Sequence, residues 1–487
     1  MPLRKVIDML RGTVECLFIY FICLAIWRQY LRFTKPELDN IPGPQPRSFW
    51  KGKSNLYYEM FSFTRVFLIT GSLPDYFNAN GWKYHRYLWK TYGPAIKMKG
   101  LFGELNTFQI DMLSWMGRTA LELIGQSGFG HSFDDLTEDY DEHSYSAAIK
   151  KVVPVTFRMS ILRVYGLYYI VKLGSAAFRR KLISILPWPA MKEARDIADV
   201  LHKTSLEIYQ AKKKAILEGN QEVTDQISQG KDILSILMRA NMEASEDDRL
   251  PEDEIYGQIA TFTFAGMDTT SNAIARILWL LSQHKDVQDK LRSELREAMQ
   301  NAGGELPYDE LVALPFMDAI CRETMRIHSP VWQLLRKPNK DILLPLSKPI
   351  KTVDGGEMNE IFVPKGTTVM CGLLASNMNT EIWGPDAFEW KPERWIEGLP
   401  KTVTDAHLPG IYSNLMTFSG GSRACIGFKF SQLEMKTVLA TLISKFEFSP
   451  TQEIIWRMTN IVTPALAHGD HTKPQMPLMV KLATDSA

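Results

Sequence analysis

The sequence predicts a mainly α fold with small β-sheets, and three features predict it. Apolar and small residues recur at helical spacing: Ile255, Ile259, Phe262, Gly266, Thr269, Ala273, Ile277 and Leu280 keep a 3.6-residue period over many turns. Strand-like text is confined to short runs bounded by Pro, Gly and Asp. A chain of 487 residues with 45% hydrophobic and 23% charged residues is long and apolar enough for a large core, and is neither disordered nor multi-spanning. Lys+Arg (56) and Asp+Glu (55) balance to a net charge of +1, which excludes a protein built mainly to bind nucleic acid. Five cysteines without a C-x-x-C pair supply neither a disulfide framework nor a structural zinc site.

Residues 1–40 are expected to be a membrane anchor. Residues 16–27 read CLFIYFICLAIW, and extension to Val14 and Phe33 approaches the roughly 20 residues of a span. Arg4, Lys5 and Arg11 precede the run, and Arg28, Arg32 and Lys35 follow it. No A-x-A-like cleavage site follows, so an uncleaved anchor is favoured over a signal peptide. The basic flanks are similar in number and leave the orientation open. Pro42, Pro44 and Pro46 then form a stiff, extended hinge. No linker, repeat or Gly/Ser tract divides residues 41–487, which are expected to be one domain.

Within that body the polar stretch 217–254 carries a helical pattern at residues 233–238. The long helix lies over 255–280, a second over 285–301, and a third over 315–327, from Pro315 in the first turn to Ser329-Pro330. Strands are expected at 341–345 and 361–363, then a turn at 364–366, then a strand at 367–370.

Four clusters carry chemistry. In Phe418-Ser-Gly-Gly421-Ser-Arg423-Ala-Cys425-Ile-Gly427, a glycine-rich loop presents one cysteine at the start of a helix. A helix N-terminus favours negative charge, so the sulfur is expected as thiolate. The glycines let the backbone approach a flat ligand, Arg423 offers a fork to a carboxylate on it, and Ile426, Phe430 and Leu433 mark the helix's buried face. In Ala265-Gly-Met-Asp268-Thr269-Thr270, three poor helix formers lie mid-helix and predict a local distortion. Glu323 and Arg326 stand at i,i+3 on one helix face, and Pro392-Glu-Arg394-Trp395 follows.

The first cluster matches the haem-thiolate signature F-x-x-G-x-R-x-C-x-G, and the other three agree in order and spacing, so the chain resembles a cytochrome P450. The resemblance implies haem b with Cys425 as the axial thiolate, and Phe418, Gly421, Arg423 and Gly427 against the macrocycle. It implies that Thr269 hydrogen-bonds dioxygen, that Asp268 feeds protons, and that Arg336 contacts a haem carboxylate. Glu323, Arg326 and Arg394 become a structural triad that locks the segment leading to the cysteine.

The resemblance is dense from residue 255 to about 478, and 112–130 fits a family helix, but the N-terminal third is incomplete. After a strand-like segment at 92–99, only residues 100–109 stand where the family places a strand, the B helix, a substrate-contacting loop and the C and D helices. Trp82 and Arg86 have the C-helix spelling but precede the strand and are taken as a chance match. Residues 53–70 are an apolar excess, read as retained-intron translation beside a skipped coding segment, or else as a lineage-specific rearrangement.

The function implied is a monooxygenase inserting one oxygen atom from O2 into an apolar small molecule. No flavin or nicotinamide fingerprint occurs, so electrons come from a separate, NADPH-dependent reductase, for which Lys429 and Lys436 suggest a basic docking patch. An anchor of this kind resembles those of endoplasmic-reticulum members with the body in the cytosol. The alternatives are a catalytically impaired splice or gene-model variant, and a haem-thiolate isomerase or dehydratase; Asp268 and Thr269 speak against the latter.

Overall fold

A computed structural model describes residues 99–100, 103–104, 107–137, 144–160, 162–217, 232–471 and 473–483. The expected anchor, the proline hinge, the 53–70 run and the Trp82/Arg86 spelling lie outside these residues. The described residues fall into two compact units, one of them 334–371.

In the larger unit, helix α1 (Met112–Phe129) buries Met116, Ala120, Leu121 and Ile124 at helical spacing. Gly130 ends it at φ 63, a left-handed conformation open to glycine, and returns its N–H to the Gln126 carbonyl at 3.0 Å. Helices α2 (Ser144–Arg158) and α3 (Pro189–Leu217) pack together. Helix α4 (Ile233–Glu243) is N-capped by Asp232, whose carboxylate accepts the Ser235 N–H at 2.8 Å.

Helix α5 (Glu252–Gln283) is the axis of this unit. Glu252, Asp253 and Glu254 complement the dipole in its first turn. Its first half buries only Ile255, Ile259, Thr263 and Met267, about one residue per turn. Its second half is buried on nearly every side, with Ile274, Ile277, Leu278 and Leu281 in the main core. Helices α6 (Lys285–Ala302), α7 (Pro315–Ile327) and α8 (Phe428–Lys445) complete that core. The expected bounds at 255–280, 285–301 and 315–327 are therefore met within a turn.

Several strands escaped the sequence reading, among them Gly410–Tyr412, Leu415–Gly420, Phe446–Pro450, Ile454–Met458, Val462–Leu466, Pro477–Leu482 and the one that leads into α1. Residues 107–109, assigned above to a short connecting tract, continue into 110–111 as strand Thr107–Asp111. It pairs antiparallel with Pro477–Leu482, which pairs on its other side with Phe446–Pro450. The register sets Phe108 and Phe448 opposite Val480, and Ile110 opposite Leu478. Partners from the far end of the chain decide the strand, so local text does not reveal it. Asp111 secures the junction with α1: its Oδ1 accepts the Met476 N–H at 2.8 Å, while the Met112 N–H donates to the Met476 carbonyl at 3.0 Å.

The 334–371 unit consists of antiparallel pairs. Ile342–Lys351 pairs with Glu357–Val363, and Leu334–Arg336 with Val369–Cys371. The expected strands at 341–345, 361–363 and 367–370 are present but shifted or longer, and Gly366 turns the chain at φ 76 as the 364–366 reading requires.

Burial raises the Asp111 carboxyl above its ordinary value, against hydrogen bonds that include the one from Met476. Asp111→Ala is expected to cost about 1–3 kcal/mol in urea unfolding, because the Met476 N–H loses its acceptor. Asp111→Asn keeps the acceptor without a buried charge, and is expected to match or exceed the parent at neutral pH.

Candidate functional site

The site rests on an ion pair inside α7. Glu323 and Arg326 are fully buried, with Arg326 Nη2 2.8 Å from Glu323 Oε1 and Nε 2.9 Å from Oε2. Glu323 also accepts from the Lys391 N–H (3.0 Å), Trp395 Nε1 (2.9 Å) and Arg394 Nε (3.4 Å). Arg326 spends its remaining hydrogens on the carbonyls of Ala387 (2.6 Å), Asn377 (3.1 Å) and Glu389 (3.1 Å). Arg394 reaches onward to Asp386, whose carboxyl that contact holds below its usual range. The structure thus brings together Glu323, Arg326 and Arg394, the triad that the family resemblance implied.

A second relay was not read from the sequence. Asn377 Oδ1 accepts the Met416 N–H at 2.8 Å, and its amide donates to Thr417 Oγ1 at 2.9 Å; Thr417 in turn donates to the Met325 carbonyl at 2.7 Å. These contacts fasten strand Leu415–Gly420 to α7. The strand forms a hairpin with Gly410–Tyr412 through Ser413 and Asn414, both at positive φ (49 and 62), and Asn414 was the available turn signal. The hairpin backbones approach so closely that a Cβ at Gly420 would lie 2.1 Å from the Pro409 carbonyl oxygen.

The strand delivers the cysteine loop. Phe418 packs edge-on to Tyr412 at 5.3 Å, and its carbonyl accepts the Cys425 N–H at 2.9 Å. Gly421 is at φ 71, and a Cβ there or at Gly427 would meet nothing within 4 Å, so the loop offers an unobstructed face beside the sulfur. Cys425 is exposed, and Arg423 lies exposed in the preceding 3-10 turn.

Two expectations need correction here. The loop does not hold the sulfur as thiolate unaided: burial against the loop raises the Cys425 thiol, and the Gly427 N–H offsets this only partly. Helix α8 begins at Phe428, beyond the cysteine, so its dipole acts weakly, and a ligating metal is what deprotonates such a thiol. Nor is Ile426 on a buried face. It is 87% exposed, whereas Phe430 and Leu433 are partly buried, and Met435, Val438 and Leu439 carry the core contact.

Helix α5 packs against α8 and carries Asp268 and Thr269. It runs unbroken through this segment, so the expected distortion is not seen. Thr269 Oγ1 donates to the Ala265 carbonyl at 2.8 Å, and the Asn272 amide donates to the Asp268 carbonyl at 2.7 Å, which absorbs the local polarity. Burial pushes the Asp268 carboxyl up to about 6. Arg336 belongs to the 334–371 unit, where it is exposed on the strand Leu334–Arg336. Lys436 is not part of a surface patch. It is buried and bonded to Asp318 and to the Val312 carbonyl, each at 2.7 Å, while Lys429 stays exposed.

A single exposed thiol on an open glycine loop, whose leading strand is fastened through Asn377 and Thr417 to the helix bearing the buried Glu323–Arg326 pair, offers the one axial donor that a haem-thiolate protein needs. The residues fit that group. Among the described residues no cluster of three His, Cys, Asp or Glu side chains could cage a bare ion, whereas a macrocycle with its own nitrogens needs only one axial donor. The cytochrome P450 family model matches residues 94–466, and the chain belongs to that family. Among its relatives is Cytochrome P450 monooxygenase 91 of Postia placenta, 40% identical over 562 residues that cover 97% of this chain and 99% of that protein. Cytochrome P450 monooxygenase 81 of the same fungus is 50% identical over 77% of this chain and 68% of its own length. Ganoderic acid synthetase CYP5150L8 of Ganoderma lucidum is 46% identical over 76% and 68%. A cytochrome P450 crystal structure (CYP102L1) shares the fold with a TM-score of 0.54 and 23% identity, over 77% of this chain and 69% of that one. The chain is thus an enzyme by family, and the cofactor of the family is haem with an axial thiolate.

Glu323→Ala strands Arg326 as a buried, uncompensated charge and is expected to cost about 3–5 kcal/mol in urea unfolding. Asp268 has a folded value of about 6, above the ordinary 3.8, so the folded chain holds this proton more tightly. The resulting stabilisation is full below about pH 4 and is lost as pH rises through 6. Asp268→Asn is therefore expected to be more stable than the parent by about 1–3 kcal/mol at pH 8, with the gain vanishing toward pH 4 in thermal melts.

Proposed function

We propose that the chain is a membrane-associated monooxygenase that inserts one oxygen atom of O2 into an apolar small molecule, using electrons from a separate NADPH-dependent reductase. The Cys425 loop is the observation that carries this reading: a free thiol beside an unobstructed face, on a loop whose leading strand is fastened through Asn377 and Thr417 to the helix of the Glu323–Arg326 pair. Haem bound there supplies the oxygen and electron chemistry.

The chain's own residues do the rest. Cys425 would hold the iron, Phe418 supports the loop from within, and the absence of side chains at Gly421 and Gly427 would leave room for the macrocycle. Arg423 would pair with a haem carboxylate. Thr269 gives its own hydrogen to the Ala265 carbonyl, so its oxygen stands ready to accept one from a bound species. Asp268, titrating near 6, exchanges protons close to neutral pH.

The segment between α2 and α3 supports the membrane side of the reading. It exposes Tyr168 (62%), Phe178 (54%) and Ile185 (80%) together with Val171 and Trp188, among the basic residues Lys172, Arg179, Arg180 and Lys181. An exposed apolar patch with interleaved cations suits a lipid headgroup boundary. No helix among the described residues is long and apolar enough to cross a membrane. An endoplasmic-reticulum location with a cytosolic body stands with the expected 1–40 anchor.

A second reading, a catalytically impaired variant lacking the segment near 100–110, draws on one observation. The alignment with the monooxygenase 91 relative runs over 562 positions, more than the 487 residues of this chain. Carbon monoxide added to the reduced, haem-supplied protein separates the two. A strongly red-shifted Soret band that is lost in Cys425→Ser, followed by reductase- and O2-dependent turnover, is expected for the oxygenase. A band without thiolate character, or none, supports the impaired variant.

A further inference from the structure

Helix α5 carries a second polar feature, downstream of Asp268 and Thr269. Asn272 and Arg276 follow Thr269 at i+3 and i+7, so the three share one face, and Arg276 lies roughly 10 Å along the axis from Thr269. Asn272 and Arg276 line a cavity of about 190 Å³ together with Ile327, His328, Pro330 and Trp456.

Arg276 has no acidic partner among the described residues, and no acid lines the cavity. Its guanidinium lies over the Trp456 ring at 4.2 Å, and Nη2 is 2.7 Å from His328 Nδ1. Arg276 Nε, Trp456 Nε1 and Asn272 Oδ1 are all buried without a partner. Burial pushes Arg276 down to about 9, which still leaves it charged at neutral pH. Burial and the Arg276 charge push His328 down to about 3, so its ring is neutral and accepts the Arg276 hydrogen. The cavity therefore holds one positive charge, two spare N–H donors and largely apolar walls. A desolvated guanidinium without a counter-ion is unfavourable, and a carboxylate is the planar partner its fork matches. A cavity near 150 Å³ accommodates one benzene, so this one takes the carboxylate end of a molecule, not a whole drug-sized ligand.

We propose that this cavity binds the carboxylate of an apolar organic monoacid, forked on Arg276 with Trp456 Nε1 as a further donor. Resting on the oxygenase reading, this makes the substrate an apolar acid oxidised roughly 10 Å from its carboxylate, the distance along α5 between Arg276 and Thr269.

The test uses the full-length chain, haem-loaded and haem-free, in equilibrium dialysis with radiolabelled decanoate, decanol and methyl decanoate. Decanoate is expected to bind more tightly than the alcohol or the ester in both preparations. Arg276→Met is expected to weaken decanoate about tenfold or more and leave decanol unchanged, with Arg276→Lys in between. Equal binding of acid and alcohol by the parent protein overturns the proposal without any variant. So does equal decanoate binding by the parent and Arg276→Met. Loss of the acid preference on haem loading also overturns it, because a haem carboxylate then occupies Arg276. Acid preference without a thiolate Soret band refutes the oxygenase reading and leaves the carboxylate site standing; a thiolate band without acid preference does the reverse.

Discussion

The Glu323–Arg326 pair is the constraint on which the rest of the larger unit depends. Neither side chain has exposed surface, and isolated charges in that setting are strongly unfavourable. The arrangement persists because it is complete: five donors converge on Glu323, and Arg326 reaches three further carbonyls. Those partners come from residues 377–395, a segment of short helices and turns with little regular hydrogen bonding of its own. The pair supplies to that segment the acceptors and donors that a helix or sheet would otherwise provide.

From there the order passes to the cysteine. Asn377 receives one hydrogen bond from Met416 and gives one to Thr417, and the hairpin that follows is too close-packed at Gly420 to admit a side chain. The loop that carries Cys425 can therefore be irregular, glycine-rich and open on one face without being loose. A site residue on a loop gains its position from the scaffold beneath it.

Helix α5 shows the opposite economy. Asp268 and Arg276 are both desolvated, and neither has a counter-ion among the described residues, so burial shifts each toward its neutral form: the acid up to about 6, the base down to about 9. Such groups weaken the fold, and a stable helix does not need them. Their presence on the helix that forms the axis of the core places function above stability along that face. The same holds for Cys425, whose thiol is raised by partial burial that the Gly427 N–H of its own loop only partly offsets.

The sequence by itself determined the mainly α class, the positions of α5, α6 and α7, the i,i+3 pair and the cysteine loop. Each of these is written in local text: a 3.6-residue period, a proline at a helix start, or fixed residue types a few positions apart. What only the tertiary structure decided depends on residues distant in the chain. Strand 107–111 exists because 477–482 offers it partners. Asn377 and Thr417 become a relay because folding sets the two side chains against each other and Thr417 against the Met325 carbonyl of α7. Lys436 turned out buried because Asp318 and Val312 meet it, and Ile426 exposed because the core contact of α8 begins further along. Arg276 reads as an ordinary helix residue in the sequence. It becomes a desolvated cation only where Trp456 and His328, from elsewhere in the chain, close around it and no acid among the described residues does, and that pairing is a property of three-dimensional packing that local sequence spacing does not encode.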